Sequence, residues 1–441
     1  DALRTLLARQ FFDQFAQNTA RYYISIGRSE IWDSADTVPT PVNRASDVTA
    51  VRNQMQSVKK VQATSLVVPR YNWSNGTIYS QYDSQVSGYP ANPYYVMNDN
   101  NNVYICLETG RDNAGVAVAS TVEPTSANND SFRLSDGYVW KFLFTVSASR
   151  ANSFMSSNFL PVKKQEQTDS SSTGIQLKQE EVQDTAIVGA ITSIIITGTG
   201  SAYTSNPSVN ILGAGTGAAA RARIDSATGT LAWIKMADSG STQLLGSGYT
   251  RAEVEIVGGG GGGATARAVL GPDSGIGADC RVDLKSAAIM FHTRIEGTDS
   301  NFITDQDFRQ VSLVKDIKDD DGVIFTATTG NTLKRMKLSS VVQAFTKDKI
   351  IRGQITLAEA YIDDIDSVDI YYHQTTTTGF SDFQDGEVIN ETNGVGTGII
   401  DSAKINPLVD PNTGDILYID NRAAILRSNV QAEDVKVILQ F

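Results

Sequence analysis

Apolar residues recur along this 441-residue chain with two different periods. In the opening segment, ALRTLLARQFFDQFAQNTARYY, Leu3, Leu6, Leu7, Phe11 and Phe15 return at helical spacing and make one apolar stripe, which predicts a helix. Beyond it the runs are short, alternate apolar with polar, and are separated by Gly, Pro, Asn and Asp. ISIGRSEIW, ATSLVVP, VYICLE and YVWKFLFTV read as strands, as do FRQVSLV, VIFTATTG and IIRGQITLAEAYI later in the chain. Residues 47–58, with Val48, Val51 and Met55 on one side, predict a short helix. Residues 65–93 are rich in Tyr, Asn and Ser, the composition of long ordered loops over a β framework. DILYIDNRAAILRS and DVKVILQF close the sequence. In the second, Val435, Val437, Leu439 and Phe441 alternate with Lys436, Ile438 and Gln440, a face expected to be sewn into a sheet. The fold class expected is mainly β: an elongated β-sandwich core with an N-terminal helix and few short helices.

Composition shifts mark the domains. Residues 165–174 (QEQTDSSSTG) read as a polar linker, and a glycine-rich block follows at 175–277. The block holds two copies of one unit, since Tyr203 and Tyr249, and likewise Arg221 and Arg267, stand 46 residues apart. Each copy runs strand, Gly-Ser-x-Tyr-Thr-type turn, strand, glycine-rich loop and small-residue strand, the pattern of stacked supersecondary units. The predicted organisation is residues 1–165 as helix and first part of the β core, 175–277 as an inserted β-repeat domain, and 278–441 as the second part of the core. Within the last, about 325–410 is expected to be an extra loop-rich excursion.

In DGYVWKFLFTV, Tyr138, Trp140, Phe142 and Phe144 fall on every second residue and so share one strand face. Aromatic faces of this size are rarely left wet, so core packing is expected ahead of stacking on a sugar or base. The opposite face (Val139, Lys141, Leu143, Thr145) is partly apolar too. A strand apolar on both sides is covered on both sides, which predicts a central strand or one that meets another subunit.

Charge and candidate chemistry narrow the function. The formal net charge is −12, with Lys and Arg scattered, which disfavours nucleic acid and an anionic membrane surface. No apolar run approaches the ~20 residues that cross a bilayer, and no signal-peptide pattern opens the sequence. Cys106 and Cys280 give no disulfide framework and fit synthesis in a reducing compartment. His292 and His373 stand apart in sequence, without HExxH or CxxC, so a metal site or catalytic triad is disfavoured and His292 reads as structural. Gly258–Gly263 lacks the GK[ST] of a phosphate loop and reads as a turn between strands. Asp319–Asp321 and the group Asp363, Asp364, Asp366 and Asp369 do not have calcium-loop spacing and read as solvated turns. No catalytic, cofactor or metal residues are assigned, and the expectation is a protein that is not an enzyme.

Five blocks in order carry a resemblance: ISIGRSEIW, SDGYVWKFLFTV, DFRQVSLV, DILYIDNRAAI and the terminal DVKVILQF. Together they resemble the baseplate wedge proteins of contractile-tailed phages, the gene-product-eight type of T-even phages. The likeness covers roughly residues 1–160, 278–320 and 415–441, while 175–277 and 325–410 depart from it. It implies a virion protein of the tail baseplate, made and assembled in the host cytoplasm, without cofactor. It further implies a homodimer that joins wedge core proteins to peripheral, fibre-bearing ones. The structural or interface candidates are Gly27, Arg28, Glu30, Trp32, Tyr138, Trp140, Phe142, Phe144, Phe308, Arg309, Tyr418, Asn421, Arg422 and Phe441. Gly27 allows a bend or bulge. Arg28 and Glu30 are expected on one strand face, where they can pair, with Arg28 fixing the loop beneath it. The alternative is a carbohydrate-binding tail adhesin acting through the glycine-rich insert, with Tyr203, Tyr249 and Trp233 as an exposed platform. A tail-associated glycosidase is the third reading, on the strength of paired carboxylates alone.

Overall fold

Alternation of side chains at every second residue is realised here as antiparallel pairing between short strands. The computed structural model describes residues 2–42, 44–167, 173–240 and 242–441. Strand takes 44% of the chain and helix 11%, so the fold is mainly β, with an N-terminal helix and few short helices. No helix among the described residues is long and apolar enough to cross a membrane. The chain divides into two units: Asp1–Arg9, Ser65–Ile289 and Gln440–Phe441 in one, Gln10–Thr64 and Met290–Leu439 in the other.

The N-terminal helix, Ala2–Ala16, forms where the apolar stripe predicts it but buries little of that stripe. Leu3 and Leu6 remain 67% and 61% exposed, while Ala8 is buried. Phe11 and Phe15 pack their rings 6.3 and 6.4 Å from that of Tyr22. The stripe thus has an inner end with a core and an outer end without one.

In the first unit the strands run in the order Tyr95–Met97, Asn102–Glu108, Val139–Thr145 and Phe132–Arg133. Tyr138, Trp140, Phe142 and Phe144 are all buried, as is the opposite row Val139, Lys141 and Leu143. Tyr138, Trp140 and Phe142 share a core with Tyr79, Tyr104, Cys106 and Val182. Val182 comes from the helix Gly174–Asp184, which opens with a capping box between Thr173 and Gln176. This helix occupies the start of the block read as strands. Of the linker expected at 165–174, residues 168–172 lie outside the described residues.

A six-stranded sheet follows, in the order Thr230–Met236, Ala220–Asp225, Ser208–Gly213, Ala252–Val257, Gly262–Leu270 and Ile191–Ser201. Its inner face is built of small and branched residues, with Tyr203 and Tyr249, one from each repeat copy, buried at equivalent places. That burial removes both tyrosines from the exposed platform expected of them; only Trp233 is partly accessible. The six-glycine run is a turn between strands: Gly259 has φ +77°, and a Cβ there would meet the Ser205 carbonyl oxygen at 2.7 Å.

In the second unit a five-stranded sheet has the order Thr329–Asn331, Met55–Lys60, Tyr22–Gly27, Asp307–Lys315 and Asp415–Leu426. The short helix expected at 47–58 spans Ala45–Gln54, and Met55 already begins a strand. The excursion at about 325–410 differs from its loop-rich expectation. Residues 334–405 hold a closed six-stranded barrel: Lys334–Gln343, Asp369–His373, Glu359–Asp366, Ile350–Gly353, Val388–Glu391 and Thr397–Ile405. Its core, including Met336, Ile351, Ile362, Ile370, Tyr372, Ile389 and Ile400, is fully buried. Thr, Gly and Asn in the connections mask strands that each contribute only one or two inward side chains, and closure removes the free edges of such short strands.

Candidate functional site

The motif residues of the second unit, widely separated in sequence, meet around one loop. Strand Tyr22–Gly27 ends in a bulge at Ile26/Gly27. A Cβ on Gly27 would lie 2.2 Å from the Gln54 carbonyl oxygen, so only glycine fits. Arg28 then takes a left-handed conformation, φ 62°, which turns the chain out of the sheet. Its guanidinium donates to Gln54 Oε1 at 2.8 Å and to the Ile31 carbonyl at 3.0 Å, and lies 4.1 Å over the Trp32 ring. Burial lowers its pKa from the ordinary arginine value, Glu30 opposing.

Trp32 spans the gap to the sheet's last strand, its indole Nε1 donating to the Arg422 carbonyl at 2.8 Å. Asn421 Nδ2 donates to the Pro39 carbonyl at 2.9 Å, and its Oδ1 accepts from Gln310 at 2.8 Å. Buried Arg309 holds the loop from below: Nε bonds both oxygens of Asp36 at 3.2 Å, and Nη1 donates to the Ser29 carbonyl. Its backbone N–H donates to the Arg28 carbonyl at 3.0 Å. GRSEIW, FRQ and NR are therefore three sides of one clasp.

Glu30 turns to a partner the sequence did not suggest. The expected pairing with Arg28 on a strand face is corrected: the strand ends at Gly27, Arg28 turns out of it, and the two side chains meet through the Gln54 amide, which accepts from Arg28 and donates to Glu30 at 3.3 Å, rather than as a direct ion pair. Glu30 Oε1 accepts from His373 Nε2 at 3.0 Å, and Asp363 Oδ2 accepts from His373 Nδ1 at 2.6 Å. Gln56 Nε2 donates to the other Asp363 oxygen at 2.9 Å, and the Tyr361 ring stacks on the imidazole at 5.4 Å. Burial alone would lower the His373 pKa, but Asp363 and Glu30 together raise it to about 10. Burial raises the Glu30 carboxyl, and the hydrogen bond and charge of His373, with Arg28 and a backbone hydrogen bond, together outweigh it to leave a net depression. His373 is thus an imidazolium between two carboxylates. Two readings are corrected together: His373 does not stand alone, and Asp363, read as a solvated turn residue, is fully buried. The Asp319–Asp321 turn is partly exposed, with Asp319 Oδ1 accepting from Val323 N–H.

This arrangement has the residue types of a hydrolase triad without its logic. Both imidazole nitrogens are consumed by carboxylates, and buried Ser29 leans 3.4 Å toward Asp363 rather than toward the histidine. No nucleophile faces a base. The cluster ties the Ser29–Glu30 loop and strand Met55–Lys60 to the barrel strands. A groove of about 600 Å³ opens beside it, bordered by Arg28, Trp32, Asn53, Tyr361 and Thr376.

The other candidates fall elsewhere. Phe308 is buried beside Arg309, and Tyr418 is 37% exposed on the edge strand. Arg422 pairs with Asp420 at 2.6 Å. Phe441, in the first unit, donates its N–H to the Ala287 carbonyl at 3.1 Å. The aromatics Tyr138–Phe144 are core residues, not part of the clasp. His292 is buried with Nε2 3.2 Å from Asp434, the structural role expected. Asp36, Gln54, Asp363 and His373 were missed. The turn DDIDSVD gave one usable signal, because folding it as a hairpin brings His373 beside Tyr361 and toward Asp363. Nothing local points from either to Glu30. Compared with known proteins, the chain matches no family model and no curated protein.

Proposed function

We propose that this chain is a non-enzymatic structural subunit of a contractile phage tail, of the baseplate wedge type. In this reading it joins wedge core proteins to peripheral or fibre-bearing ones and works as a homodimer. The observation that carries the reading is the clasp. Three of the five sequence blocks behind the wedge resemblance converge on it, and Arg28, Glu30, Trp32 and Arg309 bond one another's loops, the Gln54 amide, Asp36, His373 and main-chain carbonyls. A site that turned over a substrate would keep at least one polar group poised for it. Here the polar side chains lock a loop onto a sheet edge, a use suited to a protein held between neighbours by rigid surfaces. The Leu3–Leu6 face of the first helix, left exposed, adds a surface for such a neighbour.

The test is a particle map of the tail in which this chain is traced. Density for it within the wedges supports the reading, and its absence from the baseplate overturns it. Sedimentation velocity of the purified chain checks the dimer separately.

A further inference from the structure

In the first unit, strands Ala220–Asp225 and Thr230–Met236 pair so that Arg221 faces Lys235 and Arg223 faces Trp233. Buried Ala222 and Ile234 alternate with these four, which therefore share the outer face of the six-stranded sheet. Lys235 Nζ lies 4.8 Å from the Trp233 ring centroid. Arg133 and Arg111 also act on Lys235, as does Glu108. Glu108 pairs with Arg133 at 2.7 Å, and Asp238 with Arg221 at 2.7 Å and Arg133 at 3.4 Å. The Arg223 side chain makes no hydrogen bond or ion pair among the described residues. Close to Trp233, the five cations Arg111, Arg133, Arg221, Arg223 and Lys235 outnumber the carboxylates Glu108 and Asp238, in a chain of net charge −12; Glu253 and Glu255 lie two strands away from Arg221 and Arg223. Burial is the main cause that lowers the Lys235 pKa; Arg133, Arg111 and Arg221 lower it further and Glu108 opposes them.

Trp233 borders two hollows. One, of about 320 Å³, is shared with Gln81 and Arg111; the other, of about 520 Å³, with Asn206, Ser208 and Arg223. Asn206 accepts from the Ile224 N–H at 3.0 Å through Oδ1, and its amide N–H groups have no partner among the described residues. An aromatic face beside guanidinium groups, an amide and a hydroxyl is the lining that takes a sugar ring bearing a carboxylate. The indole stacks on the ring's C–H face, a guanidinium forks onto the carboxylate, and Asn206 and Ser208 meet hydroxyls. We propose that this face of the sheet, centred on Trp233 with Arg221, Arg223 and Lys235, binds an acidic saccharide.

A nucleic acid fits less well. The same outer face carries exposed Glu253 and Glu255 on strand Ala252–Val257, which repel a strand with a phosphate at every nucleotide. A hyaluronan-type saccharide, with one carboxylate per disaccharide set between neutral hydroxyls, places its charges farther apart.

The test is affinity electrophoresis of the full chain through gels holding hyaluronan, polygalacturonate, neutral dextran or oligothymidylate. Retardation by hyaluronan or polygalacturonate, weakening as salt rises, with none by dextran, supports the site. R223Q and R221Q alter exposed side chains, leave the core intact, and should each weaken binding roughly tenfold. No retardation by either acidic polymer overturns the proposal, as does equal or stronger retardation by oligothymidylate or dextran. Unchanged retardation of both variants overturns it too. Binding by the isolated chain is independent of its place in a particle, so this result and the wedge reading stand or fall separately.

Discussion

The indole N–H of Trp32 caps the main-chain carbonyl of Arg422 at 2.8 Å, 390 residues away in sequence. Arg422 lies on the outer strand of the five-stranded sheet, where unpaired carbonyls invite another chain. Trp32, together with the Asn421–Pro39 bond, covers that edge locally. W32F keeps the ring under Arg28 but deletes the donor, and should cost about 1 kcal/mol. W32A also removes the cation–π contact and should cost about 2 kcal/mol. Urea unfolding followed by circular dichroism checks both, and equal stability of W32F and wild type would remove the cap from the account.

His373 makes stability depend on pH in a particular direction. Its folded pKa, about 10, lies above the ordinary 6.5, so its contribution is complete below about 6.5. As pH rises toward 10 the native state holds a proton the unfolded chain has lost, and stability falls by about 1.4 kcal/mol per unit. Glu30 runs the other way: its lowered pKa gives stability present above the unfolded value and lost as pH falls through the folded one. H373Q leaves buried Asp363 and half-buried Glu30 without the cation between them and should cost about 3 kcal/mol at pH 6.5. The difference between wild type and H373Q should shrink from pH 7 to pH 9.5. Parallel curves would show that the imidazole is not charged in the native state.

How much of this was legible follows from range. The alternating aromatics from Tyr138 to Phe144 announced a buried strand because burial and periodicity are properties of a few consecutive residues. The repeat copies announced themselves through equivalent tyrosines, yet their burial was not readable, since which face of a strand looks inward depends on the rest of the sheet. The barrel was hidden because three of its strands, Ile350–Gly353, Asp369–His373 and Val388–Glu391, are only four or five residues long and carry too little pattern, among connections rich in Thr, Gly and Asn. The Glu30–His373 contact joins residues 343 positions apart, and no local chemistry encodes it. GRSEIW was recognisable as a motif, but its strand reading failed at Arg28, where a left-handed residue ends the sheet.

Gly27 tests the bulge. Its position against the Gln54 carbonyl leaves no room for a methyl group, and the three nearest atoms, Gln54 O and C and Met55 Cα, are all backbone, which cannot swing away. G27A should cost about 2–4 kcal/mol, at the high end for a point substitution. Differential scanning calorimetry should show a correspondingly lowered Tm, and a shift within error would mean that helix Ala45–Gln54 can slide.

Asp283 offers the opposite experiment, a substitution expected to help. Its carboxyl is fully buried in the first unit; Oδ2 accepts from the Gly277 N–H at 2.9 Å, and Oδ1 has no hydrogen-bond partner. Burial pushes its pKa up to about 8 from the ordinary 3.8, with Asp279 adding and Gly277 and Lys141 opposing. The sign follows: the native state keeps a proton that the unfolded chain releases, so wild-type stability falls as pH rises from about 4 to about 8. An amide keeps the acceptor for Gly277 and cannot ionise. D283N should therefore gain on wild type steadily between pH 5 and pH 8, by about 1.4 kcal/mol per unit, and level off above. Urea midpoints at pH 5, 6.5 and 8 measure this, and a constant offset between the two proteins would place the carboxyl in its ionised form throughout.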